Sequence, residues 1–180
     1  MLSRSTWILF AIIIGLTVAA FFATRAVIIQ RAPVTVMSTI EARIVQGAGS
    51  WNACYHNRVY GPRKTAARRA NPDSIISSMA YDVSDGPVRV SGEIWPRYWS
   101  FSLYQQNSDN FFVINDQALD GPRFDFVITA KGQSVDDADA VVIETPTDKG
   151  IMLIRRFAAS PADMPEIIEN QDAMTCGAIG

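Results

Sequence analysis

Three clusters of side chains in this sequence are equipped for chemistry. The first is polar and aromatic: Asn71 and Asp73, then Arg97, Tyr98 and Trp99, then Asn107, Asp109 and Asn110. Amides beside aromatic rings suit a sugar-binding surface, because they match hydroxyls and pyranose faces. Asp73 and Asp109 on either side of a cleft would supply the two carboxylates of glycoside hydrolysis. The same residues also serve architecture. Asn and Asp at strand ends close turns by bonding backbone amides, and Arg97 would then form a two-pronged pair with Asp73 or Asp109.

The second cluster is basic. No acidic residue occurs between Glu41 and Asp73, a stretch that also holds Arg43. The candidate patch is Arg58, Arg63, Lys64, Arg68 and Arg69. It suits an anionic lipid headgroup, a carboxylated glycan or an acidic partner. Alternatively, its arginines pair with carboxylates on the strands.

The third is Cys54-x-His56. A closed zinc site needs four ligands, and Cys176 is the only other cysteine, so no metal site is expected. Cys54 and Cys176 could bond to each other if the domain is exported. His56 is the single histidine, and nothing in the sequence selects a serine to complete a triad with it. Asp136, Asp137 and Asp139 form an acidic loop without a calcium-loop pattern. There is no nucleophile elbow, Walker loop, zinc-protease helix or dinucleotide fingerprint, and no cofactor is implied. A formal net charge of -2 argues against nucleic acid as a partner.

Two kinds of chain must position these residues. Ser5 to Thr24 is a run of 20 residues without a charge. About 20 such residues in a helix cross a bilayer core of roughly 30 Å. Trp7 lies at one end of the run, and Arg25 and Arg31 follow it. An uncleaved anchor is expected over residues 1–32, with the bilayer as partner through residues 5–24. A cleaved signal peptide is the rival, but the run is long for one and lacks a clean small-x-small site. One basic residue before the run and two after it favour a cytoplasmic C-terminal domain by charge count, against the common arrangement with a cytoplasmic N-terminus.

Residues 33–180 read as a single domain, with 13 Lys+Arg against 18 Asp+Glu. Val36, Ile40 and Ile44 predict a helix that Pro33 starts and Gly47 ends. The period then changes to two. Trp99, Phe101 and Leu103 share one face of a strand over residues 98–104, and Phe124, Phe126 and Ile128 repeat the pattern. Further strands are predicted over 74–80, 88–91, 111–115, 141–144 and 151–157, separated by Gly, Pro, Asp and Asn turns. Seven short strands of this kind predict a mainly β fold, an antiparallel sandwich or jelly-roll-like sheet with flanking helices. A last helix is predicted over 164–174, with Asp163 and Glu166 as a capping box.

The motifs Asn71-Pro72-Asp73-Ser74, Tyr81-Asp82-Val83-Ser84-Asp85-Gly86-Pro87-Val88 and Arg97-Tyr98-Trp99-Ser100-Phe101-Ser102-Leu103, in this order, resemble the bacterial domain-of-unknown-function 1254 family. Trp51-Asn52 and Ile154-Arg155-Arg156-Phe157 fit as well, and the resemblance spans roughly residues 40–176. Ile75-Ile76-Ser77 departs from the Tyr-Ser pair of many members. The resemblance implies a β-rich bacterial envelope protein without an agreed activity, and it transfers no catalytic residues. For a short, membrane-anchored member it implies an inner-membrane location and a periplasmic domain. It also implies a partner membrane protein carrying the related 1214-family domain. The expectation is a non-enzymatic binding or assembly module, the alternative a hydrolase or lyase acting on envelope glycan or lipid through Asp73, Arg97 and Asp109.

Overall fold

The computed structural model of the chain describes residues 3–61, 71–119, 121–133, 135 and 139–179. It opens with one helix, α1 (Arg4–Ala48), of 45 residues. Ser3 starts it, its hydroxyl accepting the Thr6 N–H at 3.3 Å. Gly49 ends it with φ 90°, donating its N–H to the Val45 carbonyl at 2.8 Å. A left-handed residue suits glycine because no Cβ meets the preceding carbonyl. At 1.5 Å per residue the helix is about 67 Å long. No residue of its first half is buried, and it is long and apolar enough to cross a membrane.

Two expectations about this segment need correction. Pro33 lies inside α1 and does not begin a second helix. A proline removes one backbone bond, which long helical stretches on both sides outweigh. The buried stripe is also rotated. Met37, Glu41 and Ile44 reach the core, Ile40 is partly covered, and Val36 is exposed. These buried residues recur at the i, i+4, i+7 spacing of one helix face.

Among the described residues nine strands follow: β1 (Tyr55–His56), β2 (Ser74–Asp82), β3 (Val88–Glu93), β4 (Trp99–Gln105), β5 (Asn110–Asn115), β6 (Arg123–Ala130), β7 (Val141–Thr145), β8 (Lys149–Phe157) and β9 (Thr175–Ala178). They form two sheets, in the orders β1-β2-β8-β4-β5 and β7-β6-β3-β9. All pairs are antiparallel except β6 with β7. The seven expected strands are present. β1 and β9 are too short for alternation to reveal. The second helix, α2 (Met164–Asp172), follows a 3-10 turn over Pro161–Asp163. The capping box, Ser160 with Asp163, belongs to that 3-10 turn, and Asp163 makes no side-chain cap bond to α2, so the expected Asp163–Glu166 box is not formed.

The core lies between the sheets. Ile75, Met79 and Tyr81 of β2 and Trp99, Phe101 and Leu103 of β4 meet Phe124, Phe126 and Ile128 of β6. The rings of Phe101 and Phe126 are 4.5 Å apart. Each such side chain contributes roughly 1.5–3 kcal/mol by leaving water. Cys54, just before β1, is bonded to Cys176 of β9 with a Cα separation of 5.4 Å, tying one sheet to the other.

The last turns of α1 pack on the outer face of the first sheet. Met37 and Ile44 cluster with Ala80 of β2 and Ile151 of β8. At one end of this crossing, the Ser108 hydroxyl of the β4–β5 turn donates to the Pro33 carbonyl at 3.0 Å. At the other end the Tyr55 ring lies against Gly47, where a Cβ would sit 2.5 Å from the ring.

Candidate functional site

The polar-aromatic candidates divide between the two ends of β4. Asn71, Asp73, Arg97 and Tyr98 lie at its beginning, and Asn107, Asp109 and Asn110 follow its end. Seven strand residues at about 3.3 Å each put roughly 20 Å between Asp73 and Asp109. Paired carboxylates in glycoside hydrolysis stand about 5–9.5 Å apart. The structure therefore does not bring these two acids to one cleft.

Local hydrogen bonds engage most of these groups at each end, but the buried Trp99 Nε1 has no partner among the described residues. Asn71 Oδ1 accepts the Asp73 N–H at 3.0 Å, and the Asp73 carbonyl accepts from Ala158 at 2.8 Å. Arg97 pairs neither with Asp73 nor with Asp109. Its Nη1 donates to Asp163 Oδ2 at 2.6 Å, and that oxygen also takes the N–H groups of Ala159 and Ser160. The Arg97 guanidinium, joined by these amides, holds the Asp163 carboxyl below its usual range. Trp99 is wholly buried against Phe124, with ring centroids 5.1 Å apart. At the far end, Asp109 accepts from Asn107 Nδ2 at 2.8 Å and Gln105 Nε2 at 3.2 Å, and Asn110 Nδ2 donates to the Leu103 carbonyl at 3.2 Å. Asn71, Arg97, Asn107, Asp109 and Asn110 are exposed, and so is Tyr98, whose ring is 56% exposed beside a groove of about 270 Å³ shared with Ser100, Val113 and Asn115.

Arg58 pairs with Asp172 of α2, so it is not a free cation. Arg63, Lys64, Arg68 and Arg69 lie outside the described residues, as do Asp136 and Asp137.

Sequence reasoning missed two polar clusters. In the first, β8 points Arg156 into the core between the sheets, fully buried. Its acceptors are all neutral: Asn170 Oδ1 at 2.5 Å, Ser77 Oγ at 2.8 Å and Met174 Sδ at 3.3 Å. Burial lowers its pKa to about 10, still charged near neutrality. Ser77 Oγ also accepts from Gln171 Nε2 at 3.3 Å. With both lone pairs occupied, the Ser77 proton goes to His56 Nδ1, 2.9 Å away. Burial first, then Arg156 and Arg58, lower the His56 pKa. The geometry resembles a nucleophile–base pair, but Ser77 is fully buried and already receives two hydrogen bonds. Ser77 is thus held in the core, with His56 half-buried beside it on the edge strand β1.

The second cluster is the seam between α1 and the first sheet. Glu41 is only 4% exposed, and its Oε1 has no hydrogen-bond partner among the described residues. Burial raises its pKa, and the nearby Lys149 opposes that rise. Lys149 Nζ pairs with Asp82 at 2.9 Å and lies 5.0 Å over the Trp51 ring. Burial works to raise the Asp82 pKa, but bonds from Ser84 and Lys149 together outweigh it and hold the carboxyl low. Asn52 clamps the same corner, donating to the Asp82 carbonyl at 2.9 Å and accepting its N–H at 2.7 Å. The sequence signal for Glu41 was its place four residues after Met37, hidden because a carboxyl breaks an apolar stripe.

A family model described as "Protein of unknown function (DUF1254)" matches residues 51–178. Comparison with curated proteins gives no match. The fold is similar to the crystal structure of the VPA0106 protein from Vibrio parahaemolyticus, with TM-score 0.55 and 16% identity, covering 61% of this chain and 29% of that one. A putative uncharacterized protein from Burkholderia cenocepacia aligns with TM-score 0.48 and 13% identity, over 77% of this chain and 38% of that one. The chain thus spans well under half the length of either structure.

Proposed function

Because this chain belongs to the family of proteins of unknown function DUF1254, we propose that it is a membrane-anchored envelope protein whose β-sandwich serves as a non-enzymatic binding or assembly module. Residues 1–32 form the anchor and residues 33–180 the working domain. The partner is a second membrane protein, one carrying the related 1214-family domain. The domain faces the periplasm, beyond the inner membrane.

One observation carries this reading. The helix whose first half is an exposed apolar run continues unbroken onto the sheet, where Met37, Glu41 and Ile44 are buried. A continuous helix holds the sandwich at a fixed height and angle over the bilayer. Such rigid placement serves assembly with another membrane protein. The Cys54–Cys176 bond supports the periplasmic side, since disulfides persist in oxidising compartments. The separation of Asp73 from Asp109, and the engagement of Arg97 by Asp163, weigh against glycan hydrolysis through those residues.

Two experiments test the proposal. An alkaline phosphatase fusion at the C-terminus should be active, and an expressed but inactive fusion would place the domain in the cytosol. Asp73→Asn should affect any phenotype only in proportion to lost stability. Loss of turnover on an envelope substrate at an unchanged melting temperature would establish an enzyme.

A further inference from the structure

We propose that the free edge of β5 receives one extended, uncharged strand from a different membrane-anchored chain. This rests on the assembly reading above and names its interface. β5 is the last strand of its sheet, paired with β4 on one side and with no described strand on the other. Such an edge presents unpaired backbone N–H and C=O groups, which a further strand satisfies. Edges that stay bare are normally short, charged or interrupted by proline. β5 is six residues long and reads Asn-Phe-Phe-Val-Ile-Asn, without charge, proline or glycine. The remaining described edges differ: β1 has two residues, β7 carries Glu144, and β9 has four residues including Gly177.

The side chains next to the edge fit the same occupant. Val113 is 64% exposed and Tyr98 56%, and the groove of about 270 Å³ between them and Asn115 takes an apolar side chain. Successive side chains of an added strand alternate faces, so every second one points to the face on which this groove lies.

A second copy of this chain does not fit. Two β5 strands pairing about a two-fold axis run antiparallel. α1 leaves each domain from the β4–β5 turn, where Ser108 holds Pro33. The two-fold would send the two anchors out at opposite ends of the joined sheet, which a single bilayer cannot accommodate. The occupant is therefore a strand of another protein.

The test uses the full chain in native membranes, with a benzophenone amino acid replacing Val113 or, as a control, the exposed Val142 of β7. Val113 should yield an adduct with one different polypeptide, mapped by mass spectrometry to an uncharged strand, and Val142 should not. β5 amides should exchange hydrogen at least tenfold more slowly in membranes than in the purified monomer. Val113→Lys should cut partner recovery at least tenfold at an unchanged melting temperature. An adduct with a second copy, with phospholipid alone or with nothing overturns the proposal, as does full partner recovery with Val113→Lys. A partner recovered in fixed ratio but mapped to another face sinks this inference and leaves the assembly reading intact. If no partner is recovered, both fall.

Discussion

The Ser108 hydroxyl donates a hydrogen bond to the Pro33 carbonyl at 3.0 Å, so the turn between β4 and β5 is fastened to the helix below the buried stripe. Ser108 itself adopts φ 74°, a left-handed conformation uncommon for a residue with a Cβ. Ser108→Gly relieves that backbone but removes the bond. Ser108→Ala removes the bond alone and should cost about 1 kcal/mol, read from thermal melts of the full chain in detergent. An unchanged melting temperature for Ser108→Ala would show that the contact does not hold the helix.

Glu41 makes the helix seam sensitive to pH. Its pKa is raised in the folded chain, so the fold binds a proton there more tightly than the unfolded chain does. Stability at this site is therefore greatest below the ordinary value of 4.5 and declines as pH rises through the raised value. Asp82 acts oppositely: its pKa is lowered, and its contribution is lost as pH falls below 3.8. Glu41→Met should add about 1 kcal/mol at pH 7, roughly 3 °C in melting temperature, and flatten the decline above pH 4.5. Melting curves from pH 4 to 8 decide it, and a destabilised Glu41→Met would mean the carboxylate is better paired than the seam indicates.

Arg156 should be intolerant of change because three groups depend on it. Arg156→Ala leaves Ser77 and Asn170 short of a donor and opens a cavity between the sheets, at a cost of about 3 kcal/mol. Arg156→Lys should recover less than half of this, since an ammonium cannot span the acceptors that a guanidinium fork reaches. Denaturant unfolding of the full chain measures both. Full rescue by lysine would mean that charge, not geometry, matters.

The bond between Cys54 and Cys176 closes a separation of 122 residues, for which unfolded-state entropy gives about 4–5 kcal/mol. Cys54→Ser should lose most of that. In cells, neither thiol should react with a membrane-permeant maleimide until a reductant is added. Ready labelling without reduction would put the domain in a reducing compartment.

The period-2 runs around Phe101 and Phe126 revealed the sheets because both faces of the alternation were well formed. The helix register was less legible. Glu41 interrupts the buried stripe, so Val36 looked like its start, and Pro33 looked like a boundary although the helix passes through it. The candidate site was legible only as composition. The length of β4 separates Asp109 from Asp73 and Arg97, and which carboxylate meets Arg97 depends on where Asp163 is brought by the turn after β8. Nor could spacing reveal Arg156, because an arginine on the dry face of a strand breaks the pattern that identifies the face.

The mass and composition of the particle extracted whole from native membranes in mild detergent test the central claim most directly. A particle containing this 19.8 kDa chain and one different membrane protein in fixed ratio is the predicted result. A monodisperse particle holding this chain alone would contradict it.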